Sequence, residues 1–128
     1  MFSVGIDLAE IPRIAKSIEQ PRFIQRVFGT QELQELQNRH PQHYAAAFAA
    51  KEAFSKAIRT GIRGFALTEV QLLHNESGAP YLQLSGKALH LATARGFTRF
   101  CVSISHTDTL ATAIVLAENE TNSIERFS

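Results

Sequence analysis

Three short polar stretches hold the side chains of this sequence that are best suited to chemistry, and the first is a single carboxylate. Asp7 interrupts an otherwise apolar segment from Phe2 to Leu8. A carboxylate among apolar neighbours costs free energy unless it is exposed, paired or bound to a metal ion. Taken alone, Asp7 is better explained as an exposed or helix-capping aspartate than as a ligand.

The second stretch, from Lys51 to Lys56, contains a carboxylate and a cation at helical spacing. Glu52 and Lys56 are four residues apart, which places them on one helix face with Phe48. One interpretation is a solvent-exposed ion pair, and the spacing alone favours it. The other makes Glu52 a metal ligand and Lys56 a phosphate partner, because Mg²⁺ prefers one or two carboxylates together with substrate phosphates.

The third stretch runs from Ser103 to Thr107, at the end of a predicted strand. Its histidine, His106, has a side chain suited to proton transfer near neutral pH. His106 is therefore a candidate base, a phosphate partner or an ordinary turn residue.

The other candidates for nucleophilic or metal chemistry are weak. Cys101 lies between apolar Phe100 and Val102 with no activating neighbour, so we expect it to fill the core. His40 and His43 have no further good ligand in their loop, which argues against a zinc-type site.

The composition excludes several classes of protein. A length of 128 residues suits one domain, and a net charge of +1 gives no support to nucleic-acid binding. No apolar stretch approaches the roughly 20 residues of a membrane span, and the N-terminus lacks a secretory-signal pattern. The single cysteine cannot form an intrachain disulfide, which suits a reducing compartment. We expect a cytoplasmic protein that binds neither nucleic acid nor membrane.

The elements that must position these clusters begin with a strand and a series of helices. Phe2, Val4, Ile6 and Leu8 alternate with polar or small residues, which predicts a half-buried strand with Asp7 on the opposite side. Helical spacing and turn signals then predict helices over residues 11–18, 21–28, 30–36 and 44–58. The last of these is rich in alanine and is the clearest helix of the chain.

The second half of the chain predicts two hairpins with a helix between them. The predicted elements are strands over residues 67–73, 81–84, 100–105 and 110–117 and a helix from Ser85 to near Gly96. This order of elements predicts an α+β fold with an antiparallel sheet packed on the long central helix. We expect one domain over residues 1–118 and a frayed tail over residues 119–128.

Four segments form a pattern that is specific only as a whole. They are VGIDLAEIPRI from Val4 to Ile14, FAAKEAFSKA from Phe48 to Ala57 with TGI from Thr60 to Ile62, GAP from Gly78 to Pro80, and VSISHT from Val102 to Thr107. In order and spacing they resemble the motifs of the holo-acyl-carrier-protein synthases, a family of phosphopantetheinyl transferases. Any one segment alone is weak support, whereas four together are specific.

The resemblance implies the 4'-phosphopantetheinyl transferase fold and a reaction. The enzyme would move 4'-phosphopantetheine from coenzyme A to a serine of apo acyl carrier protein and release adenosine 3',5'-bisphosphate, a step that serves fatty acid biosynthesis. Similar enzymes are homotrimers with active sites between protomers, and we expect the same here.

The resemblance also implies roles for individual residues. Asp7 and Glu52 would bind Mg²⁺ with the coenzyme A pyrophosphate, and Lys56 would contact the phosphate and assist departure of the nucleotide. The rest of the coenzyme A site would include Gly61, Ser105, His106 and Thr107. The base that accepts the serine proton stays open between a water on the metal, Asp7 and His106.

Two positions depart from the family pattern. The family usually has arginine where this chain has Ala47, and glycine where this chain has Arg59. The first change removes one expected cationic contact to coenzyme A. Arg59 or Arg63 are the nearby residues able to supply charge instead.

Two helices following the first strand present basic pairs for a carrier protein. Arg13 and Lys16 are three residues apart, and Arg22 and Arg26 are four apart, so each pair shares a helix face. Phe23 lies between the second pair as an apolar anchor. The simpler interpretation is an ordinary solvated basic face.

Two other functions are compatible with the same residues. One is a coenzyme A or carrier-protein binding module that has lost activity through changes such as Ala47. The other is a Mg²⁺-dependent diphosphate hydrolase that uses the same carboxylates on water. The sequence does not determine which carrier protein is preferred or whether acyl-coenzyme A is accepted.

Overall fold

The computed structural model describes residues 1–119, and its elements follow the predicted order. They are β1 (Phe2–Glu10), α1 (Ile11–Ser17), α2 (Pro21–Val27), α3 (Thr30–Leu36), α4 (Pro41–Ala57), a 3₁₀ turn (Leu67–Glu69), β2 (Val70–His74), β3 (Pro80–Leu84), α5 (Gly86–Ala94), β4 (Phe97–His106) and β5 (Leu110–Asn119). The predicted α+β class is confirmed. Asn119 belongs to β5, and the rest of the tail predicted over residues 119–128 lies outside the described residues.

The strands form two antiparallel sheets. The larger has the order β1-β5-β4, and β2 and β3 form a separate hairpin. In the larger sheet Asp7 pairs with Ala113, whose other neighbour is Ile104. The strand that carries Asp7 is therefore separated by one strand from the strand that ends in His106.

Helix α4 starts earlier than predicted and ends in a defined cap. Pro41 occupies the first turn, where its fixed φ favours the helix and its missing N–H is not needed. At the other end Thr60 N donates to Ser55 O and Arg59 N donates to Lys56 O, both at 3.1 Å. This Schellman pattern places the residue after the cap in the left-handed region, and Arg59 has φ +64°.

Helix α4 packs on β1 at very short range. A methyl group at Gly5 would overlap the Ala53 carbonyl oxygen, and it would lie 2.6 Å from Ala57 N. Only glycine allows this approach. Because Asp7 follows two residues later on the same side of β1, the close contact brings its carboxylate to the C-terminal half of α4.

The predicted burial of the first strand is wrong, and the packing of α4 gives the reason. The β1 side chains that face the helix are small: Ser3 and Ala9 are buried, as is Gly5. The four large apolar side chains point the other way, with exposed fractions of 59% at Phe2, 56% at Val4, 59% at Ile6 and 61% at Leu8. The alternation predicted two faces correctly but assigned the large residues to the wrong one.

An ion pair in the core joins α3, α4 and β2. Lys51 Nζ lies 2.6 Å from Glu32 Oε1, and both side chains are fully buried. Glu32 also accepts from Gly29 N at 3.1 Å and from Leu72 N at 2.8 Å, so its oxygens are satisfied. Burial lowers the pKa of Lys51, and the Glu32 carboxylate opposes this shift. The neighbouring residue, Glu52, consequently points away from this network toward β1.

Candidate active site

The functional candidates that the fold brings together best are Asp7, Glu52 and Lys56. Lys56 Nζ lies 2.9 Å from Asp7 Oδ1 and donates to Ile6 O at 3.1 Å. The Lys56 side chain is 54% exposed, whereas that of Asp7 is only 19% exposed. The sequence predicted a Glu52–Lys56 ion pair as the simpler interpretation, but the salt bridge of Lys56 is made with Asp7.

Glu52 and Asp7 line one open cleft of about 410 Å³. Burial raises the pKa of Glu52, the negative charge of Asp7 raises it further, and Lys56 opposes both effects. Two carboxylates that share a partly buried cleft disfavour ionisation of each other. A cation bound between them would relieve this repulsion.

The donor set fits a hard divalent cation that also binds substrate. No group of three or more histidine, cysteine, aspartate or glutamate ligands is present among residues 1–119, so the cleft is not a closed protein cage. Mg²⁺ does not require one, because it is commonly held by one or two carboxylates and completes its shell with water and phosphate oxygens. Asp7 and Glu52 match that requirement.

Two of the five residues predicted to dock the carrier protein, Arg13 and Phe23, line the same cleft. Arg13 lines it together with Phe23 and Phe48. Phe23 is half-buried, and its ring centroid lies 6.0 Å from that of Phe48, so it forms a wall rather than a protruding anchor. The other basic residues proposed for docking are exposed on α1 and α2: Lys16, Arg22 and Arg26.

The residues predicted to complete the coenzyme A site lie elsewhere in the chain. Ile104, two residues before His106 on β4, lines a cavity together with His43, which places this end of β4 beside the first turns of α4. His43 and Glu52 are nine residues apart, or about 13 Å along the helix axis. One chain therefore does not bring His106 to the carboxylates.

The remaining coenzyme A candidates are also outside the cleft. Ser105 is exposed on β4 and Thr107 follows it in the turn to β5, while Gly61 is exposed after α4 with φ +62°. Cys101, expected in the core, is exposed instead. It pairs with Leu116 on the sheet face that α4 does not cover.

A second cavity has a volume of about 430 Å³ and is lined by Ala47, the position where the family usually has arginine. Ala47 lines it with Arg39, His43, Gly78 and Ile104. The sequence analysis did not select Arg39 as a candidate. Its position two residues before α4 could have indicated a cation near the first turn of that helix. Arg59 and Arg63, the replacements considered for the missing charge, do not line this cavity.

Comparisons with known proteins agree with the motif pattern. Residues 3–115 match the family model of the 4'-phosphopantetheinyl transferase superfamily. The holo-[acyl-carrier-protein] synthase of Caldanaerobacter subterraneus subsp. tengcongensis is 40% identical over 124 residues, which cover 94% of this chain and 97% of that protein.

Solved structures give the same result for the fold. The ACPS–CoA complex of Chronobacterium ammoniagenes matches with a TM-score of 0.81 at 31% identity, over 94% of this chain and 99% of that one. The holo-[acyl-carrier-protein] synthase of Neisseria meningitidis matches with a TM-score of 0.83 at 29% identity, over 91% and 97% of the two chains. The likeness extends over nearly the whole length of each protein.

Proposed function

Because the chain belongs to the 4'-phosphopantetheinyl transferase superfamily, we propose that it is a holo-acyl-carrier-protein synthase in which Asp7 and Glu52 bind the metal ion and Lys56 contacts the phosphate. It transfers 4'-phosphopantetheine from coenzyme A to a serine of apo acyl carrier protein. The observation that carries the residue assignment is that Asp7 and Glu52 line one cleft and that Lys56 forms a salt bridge with Asp7.

In this reaction the serine oxygen forms a bond to the β-phosphorus of coenzyme A. The bond from that phosphorus to the oxygen of adenosine 3',5'-bisphosphate breaks, and the serine proton passes to a base. Because charge develops on phosphate oxygens, fixed cations aimed at them supply most of the rate. Lys56 is exposed enough to turn from Asp7 toward the leaving phosphate, where its ammonium would stabilise the developing charge.

Mg²⁺ bound at Asp7 and Glu52 would supply neutralisation of the diphosphate. The two carboxylates would hold and orient the substrate through that ion. Burial and then the negative charge of Asp7 raise the pKa of Glu52, and a cation bound between the two carboxylates would offset their repulsion.

The product pattern tests this function against its two alternatives. Incubation with apo carrier protein, coenzyme A and Mg²⁺ should release one adenosine 3',5'-bisphosphate for each carrier protein modified. A diphosphate hydrolase would release bisphosphate without modifying protein, and an inactive binding module would release none. Chromatography of the nucleotide and mass spectrometry of the carrier protein distinguish the three.

We also propose that the carrier protein docks on α1 and α2. Arg13 lines the cleft that holds Asp7 and Glu52, and Lys16, Arg22 and Arg26 are exposed on the same two helices. Acyl carrier proteins are acidic, and the net charge of this chain is only +1, so attraction must come from a local patch of this kind.

Reversing the charge of Arg13 or Arg22 to glutamate should raise the KM for carrier protein about tenfold at low salt, because rim charges act mainly on association. The KM for coenzyme A should stay within about twofold. Steady-state kinetics measures both, with Arg95→Glu, at the C-cap of α5, as the matched control. Unchanged carrier-protein kinetics in both variants would exclude this surface.

The assembly that we propose is a homotrimer, and its support is the uncovered face of the larger sheet. The face combines the exposed large side chains of β1 with those of β5: Phe2, Val4, Ile6, Leu8, Leu110, Ile114 and Leu116. Ile6 pairs directly with Ile114 and Val4 with Leu116, so the apolar surface is continuous. Monomeric proteins seldom expose a patch of this kind, and a closed ring of three copies would bury it.

A charge in the centre of this face should dissociate the assembly. Ile6→Glu should convert the trimer to a monomer in light scattering, because the carboxylate would be buried without a partner. Gln34→Glu, on the exposed side of α3, adds the same charge outside the face and should leave the mass unchanged. A monomeric wild-type protein with full activity would contradict the proposal.

Two further expectations stand as proposals. No helix within residues 1–119 is long and apolar enough to cross a membrane. We place the enzyme in the cytoplasm on the basis of its single cysteine and its substrate, and we treat residues 1–118 as its domain.

A further inference from the structure

Arg59 occupies a backbone position that disfavours arginine. It is the residue after the C-cap of α4, in a Schellman motif closed by the bonds from Thr60 N to Ser55 O and from Arg59 N to Lys56 O. Its φ of +64° lies in the left-handed region. For a residue other than glycine or asparagine that conformation is unfavourable, because the side chain crowds the backbone.

No salt bridge in the described part of the chain compensates for the unfavourable backbone conformation of Arg59. The Arg59 side chain is exposed, and within residues 1–119 its guanidinium is in none of the salt bridges. A cation near a helix C-terminus is favourable, but Lys56 already supplies one in the last turn. Backbone strain that the fold does not need is a reason to look for a ligand.

The place of Arg59 suggests what that ligand is. It lies three residues after Lys56 and seven after Glu52, at the end of the helix that carries both. The carbonyl groups at a helix C-terminus repel anions, so a diphosphate that approaches Lys56 there benefits from a second cation.

We propose that Arg59 is a binding residue for the diphosphate of coenzyme A and that the strained backbone is retained for this contact. The inference rests on the proposed function, since it assumes that coenzyme A is the ligand. A guanidinium is suited to the role because its planar donors match phosphate oxygens and it stays charged at any relevant pH.

Two substitutions separate the charge from the backbone. Arg59→Gln removes the charge and keeps a strained residue, whereas Arg59→Gly removes both the charge and the strain. Both variants should bind coenzyme A about tenfold more weakly in titration calorimetry with Mg²⁺, since each loses a charge-assisted contact. The glycine variant should also melt at a higher temperature than the glutamine variant. Arg63→Gln, in the same loop and without positive φ, is the matched control and should bind within about twofold of wild type.

Three results would overturn the proposal. One is wild-type affinity in Arg59→Gln, and another is a loss confined to Arg59→Gly, which would indicate loop rigidity rather than charge. The third is a loss seen with coenzyme A but not with dephospho-coenzyme A, which keeps the diphosphate and lacks the 3'-phosphate. Because binding is measured without carrier protein, failure here is distinct from failure of the transfer reaction itself.

Discussion

Asp7→Asn and Glu52→Gln will each lower kcat for carrier-protein modification by at least about 100-fold, because each removes a charge that holds the cation opposite the developing phosphate charge. Both replacements keep the size of the side chain. Binding of Mn²⁺, followed by electron paramagnetic resonance, should weaken in parallel. A chelator should silence the wild-type enzyme, and added Mg²⁺ should restore it.

The folding stability of these variants should behave differently from their activity. Since burial and Asp7 raise the pKa of Glu52, its ionised form is disfavoured in the folded state above the usual pKa of a glutamate. Glu52→Gln should therefore melt at or above the wild-type temperature near neutral pH. Asp7→Asn loses only a partly exposed pair with Lys56 and should cost less than about 1 kcal/mol.

Glu19→Gln removes an exposed carboxylate between α1 and α2 and serves as the control for net charge. It should change neither kcat nor Mn²⁺ binding. Full activity in the presence of chelator would contradict the assignment of Asp7 and Glu52 as metal ligands. A kcat within twofold of wild type in a variant of either residue would contradict it as well.

The order and type of the elements could be predicted because their signals are local. Alanine content identified α4, and turn residues identified both hairpins. The predicted start of α4 lies three residues after the observed one, because proline usually interrupts a helix whereas Pro41 occupies the first helical turn, where it is tolerated. The two faces of β1 were also visible, but period-two alternation does not show which face meets the helix. That choice depends on the contact between Gly5 and Ala53, which is made by residues far apart in sequence.

The site could be predicted only through the resemblance and only in part. Asp7, Glu52 and Lys56 were each ambiguous alone, and the fold brings the two carboxylates to one cleft and pairs Lys56 with Asp7. The strain at Arg59 was not visible, because a backbone angle is not encoded in residue type. The distance of His106 from the carboxylates could not be anticipated either, because it follows from the strand order β1-β5-β4.

Because His106 lies away from Asp7 and Glu52 within one chain, we also predict that each active site combines residues from two copies of the chain. If His106 completes the coenzyme A site of a neighbouring copy, then His106→Ala and Asp7→Asn damage different halves of one active site. Each variant alone should be nearly inactive. In trimers that contain both kinds of copy, some sites join an intact metal half from one copy to an intact histidine half from the next. Random mixing in equal amounts should restore about a quarter of the sites.

The most direct test of the account is activity in such mixed assemblies. The two variants are co-expressed with different affinity tags, and the mixed trimers are isolated by two successive purifications. We predict that they modify apo carrier protein at close to a third of the wild-type rate, as measured by intact mass, because each mixed trimer contains one site of three with both halves intact. Mixed trimers of Asp7→Asn and Glu52→Gln copies should regain no activity, because both substitutions damage the metal-binding part of the site. Mixed trimers of Asp7→Asn and His106→Ala that form but stay as inactive as their parents would contradict the composite site.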